Sequence, residues 1–276
     1  METNTMEAVA PGTKHKVVTQ QEWLHARKQL LQKEKELTHL YDSVRAERLK
    51  LPWIEITKNY IFDAPEGKET LADLFEGRSQ LIVQHFMLGP GWREGCVGCS
   101  FGADHAQAAL VHLNNHDVSY VAVSRAPIEE IEAFKKRMGW TFKWVSSFNN
   151  DFNFDFHVSF RPEDIIDGEV DYNYQKIPYL SEELSGDSAF YKDEDGNIFH
   201  TYSAYARGGE SKLTTYMLLD MAPKGRNEGG PGNLTNWVRH HDRYNAGGYV
   251  SNTGRYVAET NNGSCCHAEE HKHEDR

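Results

Sequence analysis

Two cysteines, Cys96 and Cys99, are separated only by Val97 and Gly98 and follow an apolar run that is typical of a strand. A thiol in the first turn of a helix meets unpaired backbone N–H groups and the positive end of the helix dipole, which favour the thiolate. We therefore expect Cys96 to be a nucleophilic thiolate, and Cys99, on the same helical face, to be the resolving thiol. No second Cys-x-x-Cys completes a four-sulfur zinc site, so the pattern favours a redox pair.

Residues next to this pair have side chains that suit thiol exchange. Trp92, four residues before Cys96, would shield the sulfur or simply pack the loop. Arg93 would lower the pKa of Cys96 through its charge, or would be solvated. Asp104 and His105 follow on the same helix and would accept a proton during exchange, or face solvent.

Two more distant segments carry titratable side chains. Residues 149–160 alternate phenylalanine with polar residues, which predicts an extended segment that buries one face. Residues 237–244 are predicted to form a helix or ordered turn that caps the site. The titratable side chains are Asp151, Asp155 and His157 in the first segment, and His240, His241 and Asp242 in the second.

The elements that must position the cysteines follow from hydrophobic periodicity and turn residues. Apolar runs predict buried strands, helical patterns separate them, and an Asp-Gly pair predicts a hairpin near the C-terminal end. Strands that alternate with helices in this way indicate a parallel sheet with βαβ crossovers. The predicted strands cover 81–87, 118–124 and 141–147, the helices 69–75, 100–116, 128–140 and 211–222, and the hairpin 188–205.

Residues 20–50 predict one long amphipathic helix that ends before Pro52. Apolar side chains recur at heptad spacing, but Arg27 and Glu34 fall where a sustained coiled coil would place apolar residues. We expect this helix to dock on the domain or on a second subunit, which would make a homodimer through residues 20–50. The heptad positions are Trp23, Leu30, Leu37, Val44 and Leu51.

The order of these elements, with the cysteines at the first strand–helix junction, resembles the thioredoxin fold. The blocks 91–105, 124–156, 199–208, 218–226 and 237–244 together resemble a bacterial thioredoxin-like family catalogued as a domain of unknown function. The resemblance covers roughly residues 20–250. It implies an α/β thioredoxin-like fold, a central mixed sheet flanked by helices, and no settled activity.

The sequence departs from thioredoxins and peroxiredoxins in two ways. The segment before the third core strand, residues 184–188, lacks the proline that holds a substrate backbone in thioredoxins. The residue three before Cys96 is Arg93, so the Thr or Ser of the peroxiredoxin signature is absent. We therefore expect polypeptide disulfides to be poor substrates, and peroxide reduction by the usual peroxiredoxin route is not expected.

Two alternatives remain open from the sequence. Copper-delivering thioredoxin-like proteins pair two cysteines with a distant histidine, and here Cys96, Cys99 and His200 would be the ligands. A Cys/His-rich tail would then deliver the metal to these ligands. The other alternative is a non-catalytic interaction module with the thioredoxin fold. The tail ligands are Cys265, Cys266, His267, His271 and His273.

The net charge and hydropathy of the sequence limit the classes of partner that the protein could bind. The formal charge of −11 argues against a general affinity for nucleic acid or anionic membranes, and no stretch approaches the ~20 apolar residues that span a bilayer. We expect a cytoplasmic thiol–disulfide oxidoreductase that acts, without a cofactor, on a small disulfide, an oxidant or a specific protein partner. The predicted divisions are a disordered arm (1–18), the helix (19–51), the thioredoxin-like domain with its extension (52–250) and a disordered tail (251–276).

Overall fold

The structure is a computed structural model that describes residues 15–226 and 237–258. Within these residues, no helix has both the length and the apolar character needed to span a bilayer. The α-helices are α1 (Gln20–Arg48), α2 (Val97–Asn115), α3 (Ile128–Met138), α4 (Phe152–Asp155) and α5 (Thr214–Met221). The strands are β1 (Ile54–Glu55), β2 (Ile61–Ala64), β3 (Gly67–Thr70), β4 (Gln80–His85), β5 (Val118–Ser124), β6 (Lys143–Ser146), β7 (Glu169–Tyr172), β8 (Gln175–Pro178), β9 (Gly186–Lys192), β10 (Ile198–Tyr205), β11 (Tyr249–Val250) and β12 (Tyr256–Val257).

The central sheet has eight strands in the order β1-β10-β9-β4-β5-β6-β2-β3. Strands β4, β5 and β6 are parallel neighbours, whereas β9 pairs antiparallel with β4 and with β10. The run β5-β4-β9-β10, with α2 connecting β4 to β5, is the strand order of the thioredoxin-like fold. The predicted mixed sheet and fold class are therefore confirmed.

The two faces of this sheet carry separate hydrophobic clusters, because successive residues of a strand point to opposite sides. Val121 and Val123 of β5 belong to the cluster that includes Phe152 and Phe156. Ala122 of β5 belongs to the other cluster, which includes both cysteines and the buried side chains of α3. Every residue of β5 is buried, as expected for a central strand covered on both faces.

Some predicted elements differ in detail. Residues 69–75, predicted as a helix, contain the end of β3 and a short 3-10 helix, Asp73–Phe75. The segment 149–160, predicted as extended, contains the short helix α4, since the side chains of Phe152 and Phe156 are one helical turn apart and stack together with ring centroids 4.8 Å apart. The hairpin β7–β8 was not predicted.

Helix α1 confirms the predicted N-terminal helix. It begins with a capping box, in which Thr19 and Glu22 exchange hydrogen bonds with each other's backbone, and it ends before Pro52 because that residue pushes Leu51 out of the helical region. None of its 29 residues is buried. The helix therefore buries no side chain against its own domain in the described part of the chain.

A C-terminal hairpin, β11–β12, lies beyond the main sheet. Its second strand, Tyr256–Val257, extends the ordered part of the domain past the predicted boundary at residue 250. The turn that joins the two strands, residues 251–255, packs on the N-terminus of α2, and this position decides how the cysteines are covered.

Candidate active site

Cys96 and Cys99 lie at the N-terminus of α2, as predicted. Cys96 is the residue before the first helical residue, and Cys99 lies in the first turn. The chain leaves β4 at His85, loops back, and is anchored where the Cys96 N–H donates to the Met87 carbonyl at 2.9 Å. The sulfurs are not joined in a disulfide.

The pKa values of the two thiols are shifted in opposite directions. Interaction with the Cys99 thiol, together with the N–H groups of Cys99 and Gly98, lowers the pKa of Cys96 despite its burial. The same interaction, together with burial, raises the pKa of Cys99 well above its ordinary value. Cys96 is therefore the more acidic thiol of the pair.

Cys99 is fixed against the sheet beneath the helix. The Met87 N–H lies 3.4 Å from its sulfur, and the Gln84 side-chain amide donates to its carbonyl at 2.9 Å. The hydroxyl of Tyr120 in turn donates to the Gln84 amide oxygen. These contacts hold the resolving thiol under Cys96 and leave it little freedom to turn away.

The turn of the C-terminal hairpin covers Cys96. The Val97 N–H donates to the Gly254 carbonyl at 2.8 Å, and a Cβ atom at position 254 would come within 2.7 Å of the Cys96 sulfur. Cys96 is only 5% exposed and Cys99 4%. Both thiols are therefore buried, and the segment that covers Cys96 falls in the part of the chain predicted as a disordered tail.

Trp92 and Arg93 have different environments. Trp92 is buried, its indole N–H donates to Glu182 at 3.0 Å, and the guanidinium of Arg255 lies 4.2 Å from its ring. It thus joins the loop before Cys96 to the covering hairpin, in agreement with a shielding role. Arg93 is exposed, and its charge is not among the causes that lower the pKa of Cys96.

A buried carboxyl group on the loop before β9 was not predicted. Glu183 is 1% exposed, accepts hydrogen bonds from Arg125 and Ser159 at 2.6 Å each, and burial raises its pKa to about 7. It contacts the loop that leads to Cys96, since its Cγ would lie 3.3 Å from a Cβ atom at Gly89. In the sequence this segment resembles an ordinary acidic turn. Only its position before a core strand could have indicated that Glu183 is buried.

Residues 237–244 form an ordered segment beside the same loop, although not a helix. His240 is fully buried, burial lowers its pKa, and its Nε2 lies 2.9 Å from the Gly95 carbonyl. Asp242 accepts two hydrogen bonds from the Arg137 guanidinium, at 2.8 and 2.9 Å. The segment braces the residues before Cys96.

Comparison with known proteins places this chain in a family. The model of a family described as a bacterial protein of unknown function (DUF899) matches residues 12–244. The chain belongs to DUF899. A search of curated proteins found no match. The hairpin that covers Cys96 in this DUF899 protein lies beyond the last matched residue.

Solved structures with weak similarity to this DUF899 protein were also found. Peroxidoxin BcpB from Mycobacterium tuberculosis is 12% identical with a TM-score of 0.39, and the alignment covers 60% of this chain and 95% of that one. A cysteine-to-serine mutant of PrxQ from Xylella fastidiosa is 14% identical with a TM-score of 0.39, covering 60% and 94%. Thioredoxin peroxidase I from Plasmodium yoelii is 14% identical with a TM-score of 0.36, covering 62% and 87%.

The copper alternative is not supported by the described residues of this DUF899 protein. His200 packs on Phe156 and Phe190, with ring centroids 5.2 and 5.6 Å away, in the cluster on the sheet face opposite the cysteines. The described residues contain no group of three or more His, Cys, Asp or Glu side chains that could hold a metal ion. The tail ligands Cys265, Cys266, His267, His271 and His273 lie outside the described residues.

His200 instead ends a buried hydrogen-bond chain. Its Nε2 lies 2.7 Å from the Ser203 hydroxyl, which lies 2.7 Å from the Ser188 hydroxyl, which lies 2.8 Å from Nε2 of His85. His85 is 1% exposed, and burial lowers its pKa to about 3. This DUF899 protein therefore keeps a neutral imidazole in the core of that face.

The remaining predicted proton acceptors have other partners. Asp104 accepts hydrogen bonds from the Trp140 indole at 2.7 Å and from His241 at 2.8 Å. His105 bonds to Thr215 and to the Phe101 carbonyl. On the other face, Asp151 and Asp155 both bind Lys58, at 2.8 and 2.6 Å, and His157, which follows them, is exposed. Residues 151–157 do not approach the cysteines.

Proposed function

We propose that this DUF899 protein is a thiol–disulfide oxidoreductase in which Cys96 is the nucleophile and Cys99 the resolving thiol. The observation that carries the proposal is the position of the two thiols at the N-terminus of α2, with Cys96 immediately before the first helical residue and Cys99 in the first turn. The pKa of Cys96 is lowered and that of Cys99 is raised, which is the division of roles that a two-step exchange needs.

The proposed substrate is a small disulfide. The Cys96 thiolate attacks one sulfur, a mixed disulfide forms, and the other substrate sulfur leaves as a thiolate that takes up a proton. Cys99 then loses its proton and attacks the Cys96 sulfur, so that a Cys96–Cys99 disulfide forms and the second substrate thiol leaves. Two electrons pass from the protein to the substrate, and an external thiol reductant must return them.

Two features favour a small substrate over an extended polypeptide. The turn around Gly254 closes over the Cys96 sulfur, so a substrate has to enter as the hairpin moves. Residues 184–188 have no proline, and no cis peptide bond occurs in the described residues. The loop before β9 instead carries Glu182 and Glu183, which bind Trp92 and Arg125.

Reduced protein is mixed anaerobically with oxidised glutathione and, in a separate experiment, with insulin. The thiols and disulfides of each mixture are then followed by mass spectrometry. We expect a Cys96–Cys99 disulfide and two equivalents of reduced glutathione. Cys96→Ser should abolish the reaction, and Cys99→Ser should stop it at a mixed disulfide on Cys96. The experiment is done with Cys265→Ser and Cys266→Ser present, so that tail thiols do not contribute.

The outcomes separate the possible roles. If Cys96→Ser reacts as fast as the parent protein, Cys96 is not the nucleophile and the proposal is wrong. If insulin reacts at least as fast as glutathione disulfide, the substrate is a polypeptide and the size argument is wrong. If neither disulfide oxidises the pair, an oxidoreductase acting on disulfides is excluded.

A further inference from the structure

Helix α1 presents a long apolar stripe that no described residue covers. None of its 29 residues is buried. Large apolar side chains are about half exposed along its length: Trp23 51%, Leu30 52%, Leu37 50%, Tyr41 53% and Val44 45%. Contiguous exposed apolar surface of this kind marks an interaction site.

The stripe has the spacing of a coiled-coil seam. Its apolar residues alternate with Arg27 and Glu34 at intervals of three and four residues, so all lie on one face. Arg27 and Glu34 form a salt bridge of 2.8 Å within the helix, with 38% and 45% of their side chains exposed. The seam thus has apolar ends around a central pair of opposite charges.

The helix is attached to the domain near its C-terminal end. The guanidinium of Arg48 lies 4.4 Å from the ring centroid of Tyr202 on β10, while the preceding turns bury no side chain. Isolated helices are marginally stable in water, and most helical stability in proteins comes from packing of an apolar face. A partner that covers the stripe is therefore expected.

We propose that the stripe pairs with the same stripe of a second copy of this chain, in antiparallel orientation. The central charges decide the orientation. A parallel, in-register pair would place Arg27 against Arg27 and Glu34 against Glu34. An antiparallel pair places each arginine beside a glutamate of the other copy, so the charges are complementary.

The register follows from the seam. Centring an antiparallel pair near residue 32 sets Trp23 opposite Tyr41 of the second copy at both ends. Arg27 of one helix then lies about 5 Å along the axis from Glu34 of the other, within reach of two long side chains. In this register Leu37 of one helix faces Arg27 of the other, and Leu30 faces Glu34. This interface is independent of the cysteine chemistry.

Charge reversal tests the interface. The mass of the full-length protein in solution is measured by size-exclusion chromatography with light scattering over a range of concentrations. We expect a dimer, and we expect Arg27→Glu or Glu34→Arg alone to raise the dissociation constant by about tenfold or more. An equimolar mixture of the two variants should dimerise again, because each chain then meets opposite charges.

Matched controls separate the interface from helix folding. Leu37→Arg places a charge on the stripe and should give monomer, whereas His39→Arg, two residues further along and therefore on the opposite side of the helix, should leave the dimer intact. Circular dichroism checks that both remain helical. A wild-type protein that is monomeric at every concentration, or charge variants that dimerise as before, would overturn the proposal.

Cysteine cross-linking tests the orientation. Gln20→Cys and Val44→Cys are made separately in protein that carries Cys265→Ser and Cys266→Ser, then mixed and oxidised. The antiparallel pair should give a disulfide between positions 20 and 44. A disulfide between two copies of Val44→Cys would indicate a parallel dimer and contradict the proposed orientation.

Discussion

Gly254 packs directly on the sulfur of Cys96. A side chain at position 254 would place its Cβ 2.7 Å from that sulfur, and the backbone of Gly254 has a φ of +78°. Both the space and the conformation therefore require glycine. The contact blocks access to the Cys96 sulfur, whose pKa is lowered in part by nearby backbone N–H groups. Access to Cys96 therefore depends on movement of the hairpin turn.

Replacement of Gly254 should open the site. In Gly254→Ala the methyl group cannot fit beside Cys96, so the closed turn should be destabilised by about 1–3 kcal/mol. We expect Cys96 alkylation by iodoacetamide to accelerate by roughly tenfold or more. Gly196→Ala is the control, since its φ is +89° but nothing lies within 4 Å of the added Cβ. Equal alkylation rates in the two variants would show that the turn does not limit access.

The Cys99 thiol should control the acidity of Cys96. Because interaction with the Cys99 thiol is the largest cause of the lowered Cys96 pKa, Cys99→Ala should move the pH midpoint of Cys96 alkylation upward. Cys99→Ser keeps a donor at the same position and should raise the midpoint less. The measurement is mass-mapped alkylation across pH with Cys265→Ser and Cys266→Ser present. A midpoint that is the same in Cys99→Ala and the parent would contradict this account.

Glu183 should make the fold less stable as pH rises. Its pKa is raised from 4.5 to about 7 by burial, so the carboxyl favours folding while protonated and that contribution is lost as pH rises through 7. Between pH 5 and 7.5 the loss is about 2 kcal/mol. In urea unfolding, Glu183→Gln should become more stable relative to the parent by this amount over the interval. A constant difference between the two proteins would refute the prediction.

His85 should have the opposite dependence. Burial, with smaller effects from the charges of His200 and Lys212, lowers its pKa from 6.5 to about 3. Its contribution to stability is complete above pH 6.5 and is lost as pH falls towards 3, amounting to about 2 kcal/mol by pH 5. His85→Gln cannot take up a proton, so its free energy of unfolding should fall less between pH 7 and 5. Parallel pH profiles would contradict the prediction.

The main elements of the fold could be predicted from the sequence because their signals are local. The run 118–124 predicts β5 with its observed limits, and Asp195-Gly196 predicts the β9–β10 hairpin. Segments stabilised by tertiary contacts were missed. Residues 149–160 alternate like a strand but contain α4, since Phe152 and Phe156 pack together in the core.

The position of the two cysteines in the fold could be predicted, but their burial could not. The Cys-x-x-Cys spacing and the following helix are local features, and they lead to the placement of Cys96 and Cys99 at the N-terminus of α2. The cover over Cys96 comes from residues 251–255, far along the chain. Nothing in the composition of that segment indicates where its backbone will bind, and Glu183 likewise becomes a buried carboxyl only through the partners that surround it.

The hydrogen bond from the Val97 N–H to the Gly254 carbonyl links opening of the turn to proton binding. When the turn leaves, that N–H loses its partner at the positive end of α2 and becomes available to a negative charge on the neighbouring sulfur. The open state should thus hold the Cys96 thiolate more strongly than the closed state does. By reciprocity, loss of the Cys96 proton shifts the population towards the open state, so alkaline conditions should both expose this thiol and make it more reactive.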